Sequence, residues 1–395
     1  MKRFSRVRAL SALSAAVLAS AAATVHAQSV SDTLTFLVTN QSVQTGSVER
    51  DRQAALATSQ TISRALLANL ATLPVPSSSG GFIYRLNGDL GTVERVTEGF
   101  GPSFVERALT AGKGQVSLGI TFQHLRFNSL DGQSLRDGTL VTTANQFVDE
   151  DAPFDVDQLT LAIDTDVATF YGNIGVTDAV EVGFAVPMVS LMMNGSRVNV
   201  YRGREFTQAT AEAHAVGLAD IVARAKVTAY RSKGSAIAGA VDLRLPTGRT
   251  DDLLGAGTRS FRFAGIGSIE RGAASFHGNG GFTVGGLADE IVYGGAVALA
   301  ANNRLTILGE LMGRHIDSPS GLVPVSSAHP SLVDVETIRL TPGTSKLEMV
   351  TLVPGFKWNL TSTWVLAANV TVPLTHQGLT APFTPFVGLD YAIGQ

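Results

Sequence analysis

Charged side chains recur at every second position inside segments that are otherwise apolar. Arg224 and Lys226 form one such pair, and Asp242 and Arg244 form another. Residues two apart in an extended strand lie on the same face, so each pair would project from one side of a sheet. Such a face could line a polar passage, or its charges could simply pair with one another. Ten residues are candidates for this polar face: Asp164, Asp166, Arg224, Lys226, Asp242, Arg244, Glu310, Arg314, Asn369 and Asp390.

Local signatures of catalysis or metal binding are absent from the sequence. The chain has no cysteine, and its seven histidines include no closely spaced pair of the kind that binds a metal ion. It has neither a Gly-x-Ser-x-Gly nucleophile motif nor a phosphate-binding Gly-x-x-x-x-Gly-Lys motif. We therefore expect no catalytic residue, no metal site and no cofactor. A serine hydrolase built from distant residues remains an alternative, because such a triad leaves no local signature.

The charged pairs lie in segments whose apolar residues alternate with polar ones. In Gly114 to Phe127, the residues Val116, Leu118 and Ile120 share one parity and polar residues occupy the other. This period of two is typical of a strand with one apolar and one polar face. The pattern recurs about twelve times, at 114–127, 158–171, 180–188, 218–230, 235–246, 260–271, 274–284, 290–299, 304–316, 347–358, 364–374 and 383–393.

Short and long connections alternate between these predicted strands. Short turns are predicted at 172–175 and 231–234, and long loops at 189–216 and 317–344. Outer-membrane barrels combine short periplasmic turns with long external loops in this way. The sequence predicts an all-β fold, an antiparallel transmembrane β-barrel of about 12 strands, with an exported β-sandwich as the alternative. If the apolar parity faces lipid, the ten polar-face candidates face the lumen.

The N-terminus and the composition indicate export. Residues 1–27 have a basic start, an apolar Ala/Ser-rich stretch and a small-x-small cleavage site at 25–27, which predicts a signal peptide. Its removal leaves 26 basic against 33 acidic side chains, a net charge of −7. This charge argues against nucleic acid as a partner. The expected location is the outer membrane of a Gram-negative bacterium, where the partners would be membrane lipid and the barrel-assembly machinery.

The segment before the barrel, residues 28–113, has no strand periodicity. The spacing of apolar residues predicts a helix from Ser47 to Leu73, which the prolines at 74 and 76 end. The segment could be a periplasmic extension or a plug within the barrel, and the sequence favours neither. We expect three parts: the signal peptide at 1–27, this partly helical segment at 28–113, and the barrel at 114–395.

Four segments resemble an outer-membrane family named after the phenol meta-cleavage degradation (MetA) pathway. The first runs from Phe100-Gly101-Pro102 through Glu106-Arg107-Ala108-Leu109-Thr110 to Gly112-Lys113-Gly114. The others are Gly175-Val176-Thr177-Asp178 with Phe184-Ala185-Val186-Pro187, Gly217-Leu218-Ala219-Asp220-Ile221 with Ala225-Lys226, and Leu243-Arg244-Leu245-Pro246-Thr247-Gly248 with Leu253-Leu254-Gly255-Ala256-Gly257. The resemblance covers about 100–260. One departure is the terminal Ile393-Gly394-Gln395, where outer-membrane barrels usually end on an aromatic residue.

The resemblance implies a transporter that passes small hydrophobic or aromatic compounds, and it supplies no catalytic residues. We therefore expect a porin-like outer-membrane channel that admits such solutes passively. The main alternative is a structural or adhesive barrel with a closed lumen, and a barrel enzyme is a third reading. The sequence does not distinguish an open lumen from a plugged one.

Overall fold

A computed structural model describes residues 28–39, 48–78, 81, 84–87, 92–95, 97–317, 320–343, 346–361 and 363–393. The predicted signal peptide lies outside these residues. The described part has two helices, α1 (Val30–Thr39) and α2 (Val48–Leu70). Its strands are β1 (Tyr84–Asn87), β2 (Thr92–Arg95), β3 (Val116–Phe127), β4 (Ser129–Leu130), β5 (Gln133–Ser134), β6 (Leu140–Phe147), β7 (Asp155–Gly175), β8 (Val180–Tyr201), β9 (Arg204–Leu218), β10 (Ile221–Ser232), β11 (Ser235–Leu245), β12 (Ser260–Arg271), β13 (Ala274–Gly285), β14 (Glu290–Ala300), β15 (Leu305–Ile316), β16 (Ser320–Ala328), β17 (Val335–Gly343), β18 (Leu347–Asn359), β19 (Trp364–Pro373), β20 (Leu379–Thr380) and β21 (Thr384–Ile393).

Twelve of these strands close into a ring. Its order is β7-β3-β21-β19-β18-β15-β14-β13-β12-β11-β10-β8, and β8 pairs with β7 to complete the circle. Every pairing in the ring is antiparallel. The predicted fold class and strand number are therefore confirmed. Closure satisfies the backbone groups that an open sheet edge would leave unpaired in lipid.

Large apolar side chains project from the outside of the ring, where they are roughly half exposed. An exposed surface of this size and continuity would make a soluble protein aggregate, but it suits contact with lipid. We call it the lipid belt, and it comprises Ile120, Phe122, Phe170, Val182, Phe184, Val227, Ile237, Val241, Phe261, Phe263, Phe276, Phe282, Ile291, Val297, Leu299, Ile307, Leu311, Leu352, Phe356 and Val387. No described helix is long and apolar enough to cross a membrane.

Partway along the longest strands, the apolar side chains change from the outer face of the ring to its inner face. On β7, Phe170 faces outward in the lipid belt, whereas Leu159, Leu161 and Ile163 face inward and are 0–1% exposed. β7 and β8 have 21 and 22 residues, about twice the 9–11 that cross a bilayer. Their far halves therefore extend beyond the lipid on the side of the long connections, which we call the loop end. The opposite side, with the short connections, is the turn end.

This reversal corrects the prediction that Asp164 and Asp166 face the lumen. Both lie on the outer face, with side chains 33% and 49% exposed. Asp164 pairs with Arg136 at 2.8 Å, and Asp166 forms a 2.8 Å hydrogen bond with His124 Nδ1. The prediction assumed that the apolar parity contacts lipid along the whole strand. Beyond the bilayer, water contacts the outer face, and the apolar residues turn inward.

The apolar inner face at the loop end packs against the two helices. Leu34 and Leu37 of α1 and Ile62 and Leu66 of α2 are fully buried in this core, together with Leu161 of β7. α2 corresponds to the helix predicted at 47–73, whereas α1 was not predicted. The long loops predicted at 189–216 and 317–344 are wrong, because these segments continue the sheet as the ends of β8 and β9 and as β16 and β17.

One pair of substitutions tests where the lipid ends. Val241 and Met192 are both exposed apolar residues on the outer face, but Val241 lies in mid-belt and Met192 lies on β8 between Asp164 and His214. We expect Val241→Lys to lower the free energy of unfolding by about 2–4 kcal/mol, because lipid cannot solvate the ammonium group. Met192→Lys should change it by less than about 0.5 kcal/mol, because water contacts that site. Urea unfolding in lipid vesicles measures both, and equal costs would contradict the assigned boundary.

Candidate functional site in the barrel lumen

Residues 97–113, which we call the lumen segment, run through the interior of the ring before β3 begins. From Gly99 to Thr110 every residue is buried. The carboxylate of Glu310, on the inner face of β15, accepts hydrogen bonds from the backbone N–H groups of Ser103, Phe104 and Val105 at 2.6, 2.9 and 2.8 Å. Bonds to an ionised acceptor are roughly twice as strong as neutral ones. Glu310 is therefore the principal anchor of the lumen segment.

Side chains from several other strands also bind the backbone of this segment. Ser268 Oγ accepts a hydrogen bond from the Ala108 N–H at 2.8 Å, and Thr228 donates to the Ala108 carbonyl at 2.7 Å. Lys357 Nζ donates to the Pro102 carbonyl at 3.1 Å. These anchors lie close to the short turns, so the segment occupies the turn-end half of the lumen. The wall replaces the hydrogen bonds that water would otherwise supply.

A compensated cluster of buried charges fixes the middle of the segment. Arg224 binds both oxygens of Asp242, with Nε–Oδ1 and Nη2–Oδ2 distances of 2.6 and 2.9 Å, and it also pairs with Glu106. Lys226 Nζ lies 3.4 Å from Glu106 and 3.3 Å from Glu181. Buried charges are tolerated when each has partners of opposite sign, as here. Glu106 thus ties the lumen segment to β10, and Arg224 and Lys226 continue the contacts to Asp242 on β11 and Glu181 on β8.

Eight of the ten predicted polar-face residues lie on the inner face of the ring. Glu310 and Asn369 meet at Ser103, to whose Oγ Asn369 donates at 2.7 Å. Asp390 lies apart from the charge cluster, hydrogen-bonded to Tyr171. Four others lie on β10 and β11, at or beside the charge cluster: Arg224, Lys226, Asp242 and Arg244. Arg314 faces the same lumen from β15. Only Asp164 and Asp166 lie outside.

Sequence reasoning missed several residues of the same interior. Glu181 and Lys357 have the inward parity of their strands, so the alternation could have identified them. Arg262, which pairs with Asp242, lies in a glycine-rich strand whose pattern is weak. Glu106 lies outside any strand, and no local signal places it in the lumen.

Two arginines of the wall hold the C-terminal end of α2. Arg244 donates from Nη1 to the Ala71 carbonyl at 2.9 Å and from Nη2 to the Leu73 carbonyl at 3.4 Å. Arg314 Nη2 donates to Thr72 Oγ1 at 2.7 Å and pairs with Glu290 at 2.7 Å. The last carbonyls of a helix lack intrahelical partners, and cationic side chains stabilise this end. The helix end is thereby fixed across the loop-end side of the lumen.

A cavity of about 280 Å³ lies between these two parts of the N-terminal region. Residues 104–106 of the lumen segment contact it on the turn-end side, and residues 68–69 and 72–75 at the end of α2 contact it on the loop-end side. Four guanidinium groups and the carboxylates of Asp242 and Glu290 face it from the ring strands. Neutral side chains complete its lining, including Gln123, Leu125, Phe127, Met312, Met349, Thr371 and Thr384.

One serine–histidine pair lies in the described part of the interior. Ser268 Oγ lies 2.8 Å from His277 Nδ1, but His277 Nε2 is bonded to Ser275 Oγ at 3.0 Å rather than to a carboxylate. Both residues are buried beneath the lumen segment, and Ser268 also accepts the Ala108 N–H. The described residues contain no group of three or more His, Asp or Glu side chains that could hold a metal ion. This pair therefore serves to anchor the lumen segment.

Comparison with known proteins relates the chain to outer-membrane barrels. No family model matches it, and no curated protein sequence matches it significantly. Among solved structures, the COG4313 outer membrane channel from Pseudomonas putida F1 is 13% identical, and the match covers 72% of this chain and 98% of that one with a TM-score of 0.45. The transport unit of the Escherichia coli autotransporter AIDA-I is 8% identical, and the match covers 71% of this chain and 90% of that one with a TM-score of 0.35.

The beta domain of the Bordetella autotransporter BrkA is 10% identical, with 71% of this chain and 100% of that one covered and a TM-score of 0.33. At such distances the assignment rests on the register of the ring and on the lipid belt of the chain itself. Apolar side chains cover the outside of a closed antiparallel ring, charges fill its inside, and its connections are short at one end. The chain is an integral β-barrel of the Gram-negative outer membrane.

Proposed function

We propose that the protein is a passive outer-membrane channel for small hydrophobic or aromatic solutes, closed at rest by its own N-terminal region. The observation that carries this proposal is the cavity of about 280 Å³ inside the ring. It is roughly twice the engineered cavity of 150 Å³ that binds benzene, so a molecule with one substituted ring fits. Its lining combines apolar side chains with charged and polar groups, and small-molecule sites likewise place polar groups within apolar surface.

The obstructions on either side of the cavity belong to the N-terminal region rather than to the ring. Hydrogen bonds and ion pairs, not covalent links, hold the lumen segment and the end of α2 to the wall. A two-state opening therefore requires only that these bonds exchange for bonds to water or solute. The same anchors also favour the alternative, a structural or adhesive barrel in which they keep the lumen permanently closed.

Deleting the N-terminal region would not separate these two functions. α1 and α2 supply much of the core at the loop end, so their removal would expose Leu159, Leu161 and their neighbours to water. A single anchor is the better target. Glu310→Gln keeps the shape of the side chain but removes the charge and places an NH₂ group against the backbone donors of the lumen segment.

We expect Glu310→Gln to raise conductance in planar bilayers roughly tenfold to hundredfold. Charge-assisted hydrogen bonds contribute about 1.5–3 kcal/mol each, and losing the equivalent of one shifts the closed–open equilibrium by that factor. Glu212→Gln, an exposed change on the outer face of β9, is the matched control. Uptake of radiolabelled benzyl alcohol and glucose into lipopolysaccharide-containing vesicles then measures solute preference. A folded variant that neither conducts nor admits either solute would favour the adhesive barrel.

A further inference from the structure

The charges that face the cavity do not balance. Arg224 and Arg262 share Asp242, Arg224 also pairs with Glu106, and Arg314 pairs with Glu290. Arg244 also faces the cavity, but no carboxylate among the described residues lies within ion-pair distance of it. Its hydrogen-bond partners are two neutral carbonyls at the end of α2.

Charges of both signs surround Arg244. The guanidinium groups of Arg262 and Arg314 lie close enough to repel its charge, whereas Asp220 and Glu290 attract it from beyond ion-pair distance. A cation removed from bulk water without a counter-charge is costly, and an anion bound beside it would offset that cost. The planar guanidinium group also matches a carboxylate in shape, because its parallel N–H groups can donate to both oxygens. The arginine side of the cavity therefore favours an anionic group.

Other parts of the cavity lining have a different chemistry. Phe104, Met312 and Met349 present apolar surface to it. Gln123 also lines it, 95% buried, and its amide has no hydrogen-bond partner among the described residues. Buried amides are normally hydrogen-bonded, so an unpartnered one that faces a cavity indicates a missing polar partner. The hydroxyl of Thr384, likewise buried and without a protein partner in the described part of the chain, faces the same space.

We propose that the cavity binds a small organic carboxylate, with its carboxylate on Arg244 and its aromatic or short aliphatic body against Phe104, Met312 and Met349. Gln123 and Thr384 would bind a second polar substituent of the solute. The proposal rests on the proposed channel function and narrows its solute to an amphipathic anion. It also couples binding to opening, since a carboxylate on Arg244 displaces the Ala71 and Leu73 carbonyls that the arginine otherwise holds.

Calorimetric titration of the full chain in detergent micelles tests the proposal. The probes are benzoate, benzyl alcohol as its neutral analogue, and inorganic phosphate as an anion without an apolar body. We expect benzoate to bind at least tenfold more tightly than either of the others. Arg244→Gln should abolish this preference, whereas Arg244→Lys should retain part of it.

Arg126→Gln is the matched control, because Arg126 lies on the outer face with a side chain 66% exposed. A heat-dependent shift in gel mobility shows that each variant is folded. Equal affinities for benzoate and benzyl alcohol, or a preference unchanged in Arg244→Gln, would overturn the proposal. Phosphate binding as tight as that of benzoate would also overturn it, because the site would then recognise an anion without contributing contacts to the aromatic ring.

Vesicle uptake separates this inference from the channel itself. Benzoate that binds but never crosses, even through Glu310→Gln, would support the carboxylate site and contradict the channel. Passage of benzyl alcohol and benzoate at equal rates, with equal affinities, would support the channel and contradict the carboxylate site.

Discussion

Oxidation of a Val105→Cys, Gly294→Cys double variant is expected to abolish conductance, and reduction is expected to restore it. A Cβ placed on Gly294 of β14 would lie 3.2 Å from Cγ2 of Val105 in the lumen segment. In a disulfide, the sulfur of one cysteine lies ~3 Å from the Cβ of the other, so the two positions are suited to a bond. The bond would fix the lumen segment to the wall at the turn-end side of the cavity.

The design benefits from a chain without cysteine, in which no other thiol can compete. A Cβ on Gly294 also approaches the Leu311 carbonyl at 3.2 Å, which requires a shift of a few tenths of an ångström. The Gly294→Cys single variant measures the effect of that shift, and Val105→Cys is the second control. Adding Glu310→Gln to the double variant should raise the conductance before oxidation, so that its loss on disulfide formation is easier to measure. Conductance that persists after complete oxidation would show that solutes pass without movement of the lumen segment.

The second large effect is on stability, at the charge cluster of the lumen. Arg224→Met is expected to lower the free energy of unfolding by about 3–5 kcal/mol, because it leaves Glu106 and Asp242 buried with one fewer counter-charge. Methionine retains the aliphatic stem, so the loss reports on charge rather than on packing. Urea unfolding in lipid vesicles, followed by the fluorescence of Trp358 and Trp364, measures it.

Removing the Glu106 carboxylate as well should recover much of this loss. The double variant Arg224→Met, Glu106→Gln leaves Asp242 paired with Arg262 and Lys226 paired with Glu181, so its stability should exceed that of Arg224→Met. The matched control is Arg304→Met, at an exposed turn between β14 and β15, which should change stability by less than about 0.5 kcal/mol. Purely additive losses in the double variant would show that these charges do not act as a unit.

The amino-acid sequence by itself determined the architecture of the ring. Period-two alternation is a local property, since it follows from the geometry of a single strand, so all twelve ring strands could be predicted one at a time. The closed antiparallel barrel then follows from the short turns and from the need to pair every edge in lipid. Eight of the ten predicted inner residues also follow, because their strands cross the membrane with one constant phase.

The tertiary structure alone decided what each face contacts and what fills the ring. Asp164 has the alternation of a lumen residue, but it faces water because β7 is longer than the bilayer is thick. The docking of Glu106 and of residues 103–105 depends on partners 118–207 residues away, and no local pattern encodes such pairings. The cavity exists because α2 and the lumen segment approach it from opposite ends. Among the described residues no carboxylate lies within ion-pair distance of Arg244, because its neighbours depend on how the twelve strands pack together and not on the pattern of its own strand.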